Sequence, residues 1–542
     1  MGYQVVLTEP MARSLKDHLL SDQSCEQLAI TLCGLHCQGE RVRLLGRHLI
    51  LLPKDAFDHQ SAGGLELRQE VQQYVLKLAW QEGLSQVDWH THPSDSPWVS
   101  FSGIDDRHEK ELARYLARRI PGTLYGSVVM TAKAVRARIW TGDTHQPQAV
   151  PMETIRFGPF QPVSAHPQQG SCVVRERLDE MFSRQVLAFG RAFQERLSRY
   201  RVGLIGLGGT GSVVAEELSR LGVRQWVLID DDQVEESNLN RLLGATRQDS
   251  QRGSAKVAVA GRNILDVAPK AEVQMLKSSL FEPEALQALK TCDLIVVCTD
   301  THASRLVANR LSVQYLIPLV HVAVNIDVDE DHHITDISGE YVMPQLGSWC
   351  LQCAQVFDNQ QAGWELASPE ERARLRARGY VRDTPSPAVY HLNATMASVA
   401  VAEIHNAIYP YRPKRPYVVY DELKGEFMAV EMEPDSTCPV CTPEGVLGLG
   451  DLEPLPDYSE AGRQESEPVA DTGKTIHGID LSSIETLDES GSQARRRMSL
   501  DQRLFGWSMD MQLRYYRCPA ATRMISRSER WLRRLAECFP NR

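Results

Sequence analysis

A chain of 542 residues has room for roughly two to four domains, and 42% hydrophobic with 24% charged residues is an ordinary globular balance able to bury sizeable cores. A net charge of −11 excludes nucleic acid as the expected main partner. No apolar run reaches the length of a membrane span, and the N-terminus lacks a signal-peptide pattern. The 12 cysteines are too sparse for a small disulfide framework, and paired C-x-x-C spacing points to metal in a reducing compartment, so a cytoplasmic location is expected.

Residues 1–165 alternate short apolar runs with one amphipathic helix near 67–81. Their informative stretch is V-D-W-H-T-H-P-S-D-S-P-W-V-S-F-S-G-I-D-D, Val87 to Asp106. His90 and His92 alternate on an extended chain, so both imidazoles point to one side. Asp105, three residues after Ser102, can supply an oxygen ligand. Three protein ligands and one open position are what a catalytic Zn²⁺ requires. This stretch resembles the JAMM (JAB/MPN) metalloprotease family, which cleaves peptide or isopeptide bonds after ubiquitin-like proteins. The resemblance makes His90, His92 and Asp105 the zinc ligands and Ser102 a donor to the oxyanion or bound water. It also asks for an upstream glutamate as general base: Glu26, before L-A-I-T-L-C-G, is the first choice and Glu40 the second. The second histidine stands slightly farther from the aspartate than in that family. A JAMM-like fold kept as a scaffold is the alternative. Tyr125–Met130 and Ala137–Trp140 read as closing strands.

Residues 141–175 are rich in Pro, Gln and Gly and read as a linker, followed by a helical pattern over 175–200. Next comes R-V-G-L-I-G-L-G-G-T-G-S from Arg201. An apolar strand runs into Gly206, Gly208, Gly209 and Gly211 and then a helix, whose N-terminal N–H groups suit a phosphate. A second strand ends at Asp230, where a carboxylate can meet a ribose hydroxyl. Asp232, S-N-L-N-R (Ser237 to Arg241), Gly253 and Lys256 follow.

With F-S-R-Q-V-L (Phe182 to Leu187) upstream and C-T-D (Cys298 to Asp300) with Arg305 downstream, this order resembles the adenylating domain of the ubiquitin-activating, ThiF and MoeB family. The resemblance covers about 270 residues in one consistent order. It implies ATP as substrate, Mg²⁺ held by Asp300, and a homodimer in which Arg184 reaches the partner's nucleotide. Charge assigns the rest. Arg241 and Lys256 neutralise phosphate oxygens, Asn238 bonds phosphate or ribose, and Asp232 is a second contact or a solvated turn residue. Thr301 follows Asp300 where relatives usually carry asparagine.

Cys350 with Cys353 and Cys438 with Cys441 can each present two thiolates to one tetrahedral Zn²⁺. Four ligands leave no open position, so this zinc is structural; a redox disulfide role is the alternative. No thioester-forming cysteine occurs between Ala354 and Thr437. The helix near 391–404 has the small and apolar spacing of core or dimer packing. Residues 451–492 hold 11 acidic and 2 basic residues, the composition of a tether. From Ala494 to Arg542 there are 12 arginines against 4 acidic residues, with aromatics interleaved; Cys518 among them is a candidate thioester carrier, with a plain structural or unpaired cysteine as the favoured alternative.

The expected fold class is therefore α/β. A JAB/MPN-like α/β domain (1–165) precedes a Rossmann-like, doubly wound ThiF-type adenylating domain with a structural zinc site (176–450). An acidic linker (451–493) and a basic aromatic tail (494–542) follow. The expected function is ATP-dependent adenylation of the C-terminal glycine of a ubiquitin-like protein, coupled to zinc-dependent precursor trimming or deconjugation. A conjugating enzyme is an expected further partner, in a bacterial modification system of the kind that can serve antiviral defence. Activation of a sulfur carrier for cofactor biosynthesis and a non-enzymatic binding module are the alternatives.

Overall fold

Apolar runs buried at nearly every position, as over Leu28–Gln38, Arg41–Leu51 and Tyr125–Met130, build the N-terminal half into a sheet covered on both faces. In the computed structural model, residues 1–142, 145–158, 160, 162–165, 180–377 and 387–459 are described. The strands of this half are β1 (Gly2–Leu7), β2 (Leu28–Gln38), β3 (Arg41–Leu51), β4 (Phe57–Ser61), β5 (Gly64–Leu67), β6 (Ser85–Thr91), β7 (Tyr125–Met130), β8 (Val135–Thr141), β9 (Gln148–Pro151), β10 (Thr154–Phe157) and β11 (Pro162–Ser164). Its helices are α1 (Glu9–Leu19), α2 (Gln69–Glu82) and α3 (Gly103–Arg119). The main sheet runs β11-β10-β1-β3-β2-β6-β7-β8-β9, and β4–β5 is a separate hairpin. Val5, Leu15, Ala29, Trp89 and Val128 pack its core.

Two expectations are corrected here. This half holds α1 and α3 besides the single helix foreseen, because both carry short apolar stripes under heavily charged faces. The stretch 141–175 is no plain linker: β9, β10 and β11 lie within it, with Ile155 and Phe157 buried. Pro151 and Pro162 sit at ends of the edge strands β9 and β11, where a missing N–H costs no ladder bond.

The second half contains α4 (Ser183–Leu197), β12 (Arg201–Ile205), α5 (Gly209–Leu221), β13 (Gln225–Ile229), α6 (Arg247–Arg252), α7 (Lys256–Val267), β14 (Glu272–Leu276), α8 (Pro283–Lys290), β15 (Leu294–Val297) and α9 (His302–Tyr315). Then follow β16 (Leu319–Val328), β17 (Ile334–Val342), α10 (Asn359–Glu365), α11 (Pro369–Ala377), α12 (Tyr390–Ile408), β18 (Tyr417–Asp421) and β19 (Glu426–Ala429). The sheet order is β14-β13-β12-β15-β16-β17-β18-β19. Pairing is parallel from β14 to β16 and antiparallel beyond. The chain winds outward from β12 to β14, then returns to the other side of β12 at β15. That reversal puts the switch point between the carboxyl ends of β12 and β15, where open α/β sheets bind ligands. The helical pattern foreseen over 175–200 is broken at Gly190, which is not helical, and residues 175–179 lie outside the described part.

The two halves share one core: Val6 and Leu45 pack in the same cluster as Val297, Leu311 and Trp349. Residues 445–451 lace them together. Gly448 and Gly450 donate to the carbonyls of Val313 and Gln314, and Asp451 donates its N–H to that of Leu35. The Asp451 carboxylate then meets His36, the Cys37 N–H and the Tyr315 hydroxyl. The tether expected from 451 thus begins inside the folded part. The rest of it, the basic tail and Cys518 lie outside the described residues.

Candidate functional sites

Strand β12 delivers Gly206 to the switch point with a φ of 82°, a conformation that glycine adopts without strain. A Cβ there would lie 2.9 Å from the Cys298 carbonyl at the end of β15. The two strand ends therefore touch, and Asp300 stands exposed two residues beyond. Gly211 is equally constrained, since its Cβ would fall 1.9 Å from the Gly206 carbonyl. Gly208 caps α5 without any side-chain hydrogen bond, so the first-turn N–H groups remain available as anion donors.

Asp230, at the end of β13, accepts the Leu207 N–H at 2.6 Å and the Asp232 N–H at 3.0 Å. Burial pushes its pKa up, against the pull of Lys256. The Lys256 ammonium lies 2.6 Å from Asp232. Arg241 donates to the Ser237 carbonyl at 2.7 Å, and its Cδ lies 3.4 Å from where a Gly209 Cβ would be. Arg241, Lys256, Asp230 and Asp232 are thus drawn to the glycine turn or to its partner strand.

Two predicted residues are differently engaged. The Asn238 side chain accepts the Glu235 N–H at 3.1 Å and so closes the turn that carries Arg241. Arg184 stands exposed in the first turn of α4, and its neighbour Gln185 bonds the Leu221 carbonyl. That is the far end of α5, about 20 Å from the glycine turn by helix rise. Arg184 therefore does not serve its own chain's turn. Thr301 N-caps α9 by accepting the Ser304 N–H, which accounts for its place after Asp300.

The sequence reading missed Asn393. It lies on α12, 3% exposed, and accepts the Thr210 hydroxyl at 2.9 Å. A Cβ on Gly209 would fall 2.4 Å from its Nδ2. The available signal was one amide among Leu392, Met396 and Ala397, on a helix otherwise read as packing.

The four cysteines come together as expected. The Sγ–Sγ separations are 3.8 Å for Cys350–Cys353, 3.9 Å for Cys350–Cys438 and 3.6 Å for Cys353–Cys441. Zn–S bonds of about 2.3 Å in a tetrahedron put sulfurs about 3.8 Å apart, so the group fits zinc. Its burial and its four ligands suit a structural ion.

In the N-terminal half the antiparallel register pairs Leu28 with His90, and continuing it two residues sets Glu26 opposite His92. The Glu26 Oε1 lies 4.0 Å from His92 Nε2, while its N–H bonds the Ser61 carbonyl and its carbonyl accepts Gln60. His90 Nε2 and His92 Nε2 lie 3.7 and 3.5 Å from the two oxygens of Asp105. One ligand atom from each of the three residues lies within 4.8 Å of the others, close enough to share one ion. His90 Nε2 is buried and has no hydrogen-bond partner among the described residues, as a ligand nitrogen would.

Ser102 caps α3, accepting the Asp105 N–H at 3.2 Å, while its own N–H meets the Asp105 carboxylate. The cap thereby aims Asp105 at the histidines and leaves the Ser102 hydroxyl proton to donate. Burial pushes the Glu26 pKa up against the pull of both histidines. Burial also opposes ionisation of Asp105, but the neighbouring His90 and His92 imidazoles outweigh it and hold this carboxyl well below the usual range. Glu40, the second choice for the base, lies in the exposed turn at the far end of β2, away from the histidines.

A family model described as the ThiF family matches residues 182–440. These residues form a ThiF-family domain. The rice ubiquitin-like modifier-activating enzyme 5 (Oryza sativa subsp. japonica) is 25% identical over 314 residues, covering 55% of this chain and 69% of the rice protein. The tRNA threonylcarbamoyladenosine dehydratase of Bacillus subtilis is 33% identical, over 30% of this chain and 65% of its own length. The sulfur carrier protein adenylyltransferase of Thermus thermophilus is 28% identical, over 50% of this chain and 93% of its own. A solved structure of E. coli MccB with ATP aligns with a TM-score of 0.38 at 19% identity, covering 49% of this chain and 75% of that one. The ThiF-family match begins at Phe182, so the histidine site lies outside it, while the Cys350 pair and Cys438 lie inside.

Proposed function

We propose that the ThiF-family half uses ATP to adenylate the C-terminal carboxylate of a ubiquitin-like or sulfur-carrier protein. The observation that carries this reading is Arg241 beside the glycine turn, with Asp230 accepting the Leu207 N–H of that turn and Lys256 paired to Asp232 just past the same strand end. The names of the rice and Thermus relatives support the substrate class. Carboxylate and α-phosphate are both anionic, so their approach must be screened by fixed cations. Arg241 and Lys256 supply that charge, with α5 N–H groups on the phosphates and Asp230 facing the ribose. Asp300 would hold Mg²⁺, a hard cation that spreads the phosphate charge. In a homodimer Arg184 would serve the neighbouring subunit's nucleotide, since it stands far from its own. Substrate-dependent exchange of pyrophosphate into ATP is the test. Exchange absent with every Gly-Gly carrier tried would defeat this reading and favour a binding module.

The N-terminal half we read as a zinc peptidase or isopeptidase of the JAMM type. The unpartnered buried Nε2 of His90, beside His92 and Asp105, supports it. Zinc bound there would make its water acidic near neutral pH. Glu26, 4.0 Å from His92, would take that proton and return it to the leaving amine, and its raised pKa supports both duties. The Ser102 hydroxyl donates toward the developing oxyanion. Trimming of a tail-extended carrier or removal of a conjugate is the expected activity. Chelation, zinc add-back and His90→Ala test it, and cleavage indifferent to all three would remove the assignment.

A further inference from the structure

We propose that Asn393 belongs to the phosphate seat, its Nδ2 donating to a phosphate oxygen of the nucleotide. The inference rests on the adenylation reading and adds a residue from α12, an element outside the strand–turn–helix unit.

Three observations converge. The Asn393 carboxamide is held by Thr210, whose hydroxyl donates to Oδ1 at 2.9 Å, so the NH₂ end is turned toward Gly209. That nitrogen is buried and has no partner among the described residues, in a side chain 3% exposed. A buried unsatisfied donor is costly, and a site that keeps one usually gives it a ligand. Gly209 and Thr210 open α5, whose cap contributes no side-chain bond, so the same spot carries the positive end of a 13-residue helix. The Arg241 side chain reaches the same position, its Cδ being 3.4 Å from a hypothetical Gly209 Cβ. An oxyanion at the glycine turn would therefore meet helix N–H groups, a guanidinium and one neutral amide. The contact also explains Gly209: any side chain there would fall on Nδ2, at 2.4 Å, and shut the amide off from the turn.

Of the anions used in adenylation, a nucleotide phosphate is favoured over the carrier's carboxylate. Asn393 touches the first two residues of α5, the part of the turn that phosphates approach. Calorimetric titration of the full chain with ATP and with adenosine, for wild type, Asn393→Asp and Asn393→Ala, separates the outcomes.

Asn393→Asp keeps the shape and the Thr210 bond but replaces the donor with negative charge. It should weaken ATP binding about tenfold or more while leaving adenosine within about twofold. Asn393→Ala should show a smaller loss with the same ATP selectivity, and it carries the reading if the aspartate variant melts at a lower temperature. ATP affinity equal to wild type in both variants overturns the proposal. So does a fall in pyrophosphate exchange with ATP affinity unchanged, which would assign the amide to the carboxylate. Wild-type protein that binds no ATP would instead defeat the adenylation reading on which this rests.

Discussion

The Arg47 Nε donates to the Glu82 carboxylate at 2.8 Å while its Nη1 holds the carbonyls of Gly445 and Leu447. One guanidinium thus fastens the end of α2 to the segment that laces the halves together. Burial opposes ionisation of Glu82, but His48 and then Arg47 outweigh it, and the carboxyl falls from 4.5 to about 2. A depressed folded-state pKa means the unfolded chain binds more protons between these values. Its contribution is complete above pH about 4.5 and disappears as pH falls toward 2. Glu82→Gln should cost on the order of 2 kcal/mol at pH 7, and its stability should fall less steeply below pH about 4.5 than wild type. Urea unfolding across that range checks both.

Gly34 lies under the same segment. A Cβ on it would fall 2.1 Å from the Gly448 carbonyl and 2.5 Å from that of Leu449, both backbone atoms that cannot swing aside. Gly34→Ala must push residues 448–449 away from β2. It should lower stability by about 2 kcal/mol or more and expose the segment to limited proteolysis. Proteolysis unchanged from wild type would show that the lacing yields without cost.

Much of the candidate chemistry was legible because it is local. The glycine turn, the paired C-x-x-C and the His-x-His stretch each depend on spacings of a few residues, and each folds as its spacing implies. Glu26 was readable as a carboxylate shortly before an apolar strand, and the β2–β6 register turns that into proximity to His92. What escaped depends on partners far away in the chain. Residues 445–450 suggest nothing by themselves and composition marks 451 as the start of a tether, because their partners Leu35, Arg47 and Val313 are scattered over the preceding chain. Asn393 escaped for the same reason: its significance comes from Thr210, 183 residues earlier. Arg184 is legible only through family resemblance, since within its own chain it stands at the far end of α5 from the glycine turn.

Zinc content divides the two metal groups. Wild-type protein should carry about two zinc ions per chain, one in each group. Cys441→Ser should lose one and lower stability by about 3 kcal/mol or more, since structural zinc binding is folding free energy. Because Cys438 and Cys441 directly precede the lacing segment, that loss should also expose residues 445–451 to protease. His92→Ala should lose the other ion with little change in melting temperature. Metal analysis on matched samples reads both, and a chain that keeps its full zinc after Cys441→Ser would refute the four-sulfur assignment.

Lys256 and Asp232 separate charge from position. The ammonium is mostly buried, with 12% of the side chain exposed, whereas Asp232 is 66% exposed. On the adenylation reading proposed above, the aspartate would swing into solvent and release the lysine to an arriving phosphate. Lys256→Ala removes a fixed cation from the phosphate region and should lower pyrophosphate exchange by about a hundredfold or more. Asp232→Ala leaves the cation and removes only an exposed partner, so exchange should change by less than about tenfold. The ordering of the two variants is what matters. If Asp232→Ala were the more damaging, Asp232 would itself contact substrate, and the screening role given to Lys256 would have to pass to Arg241.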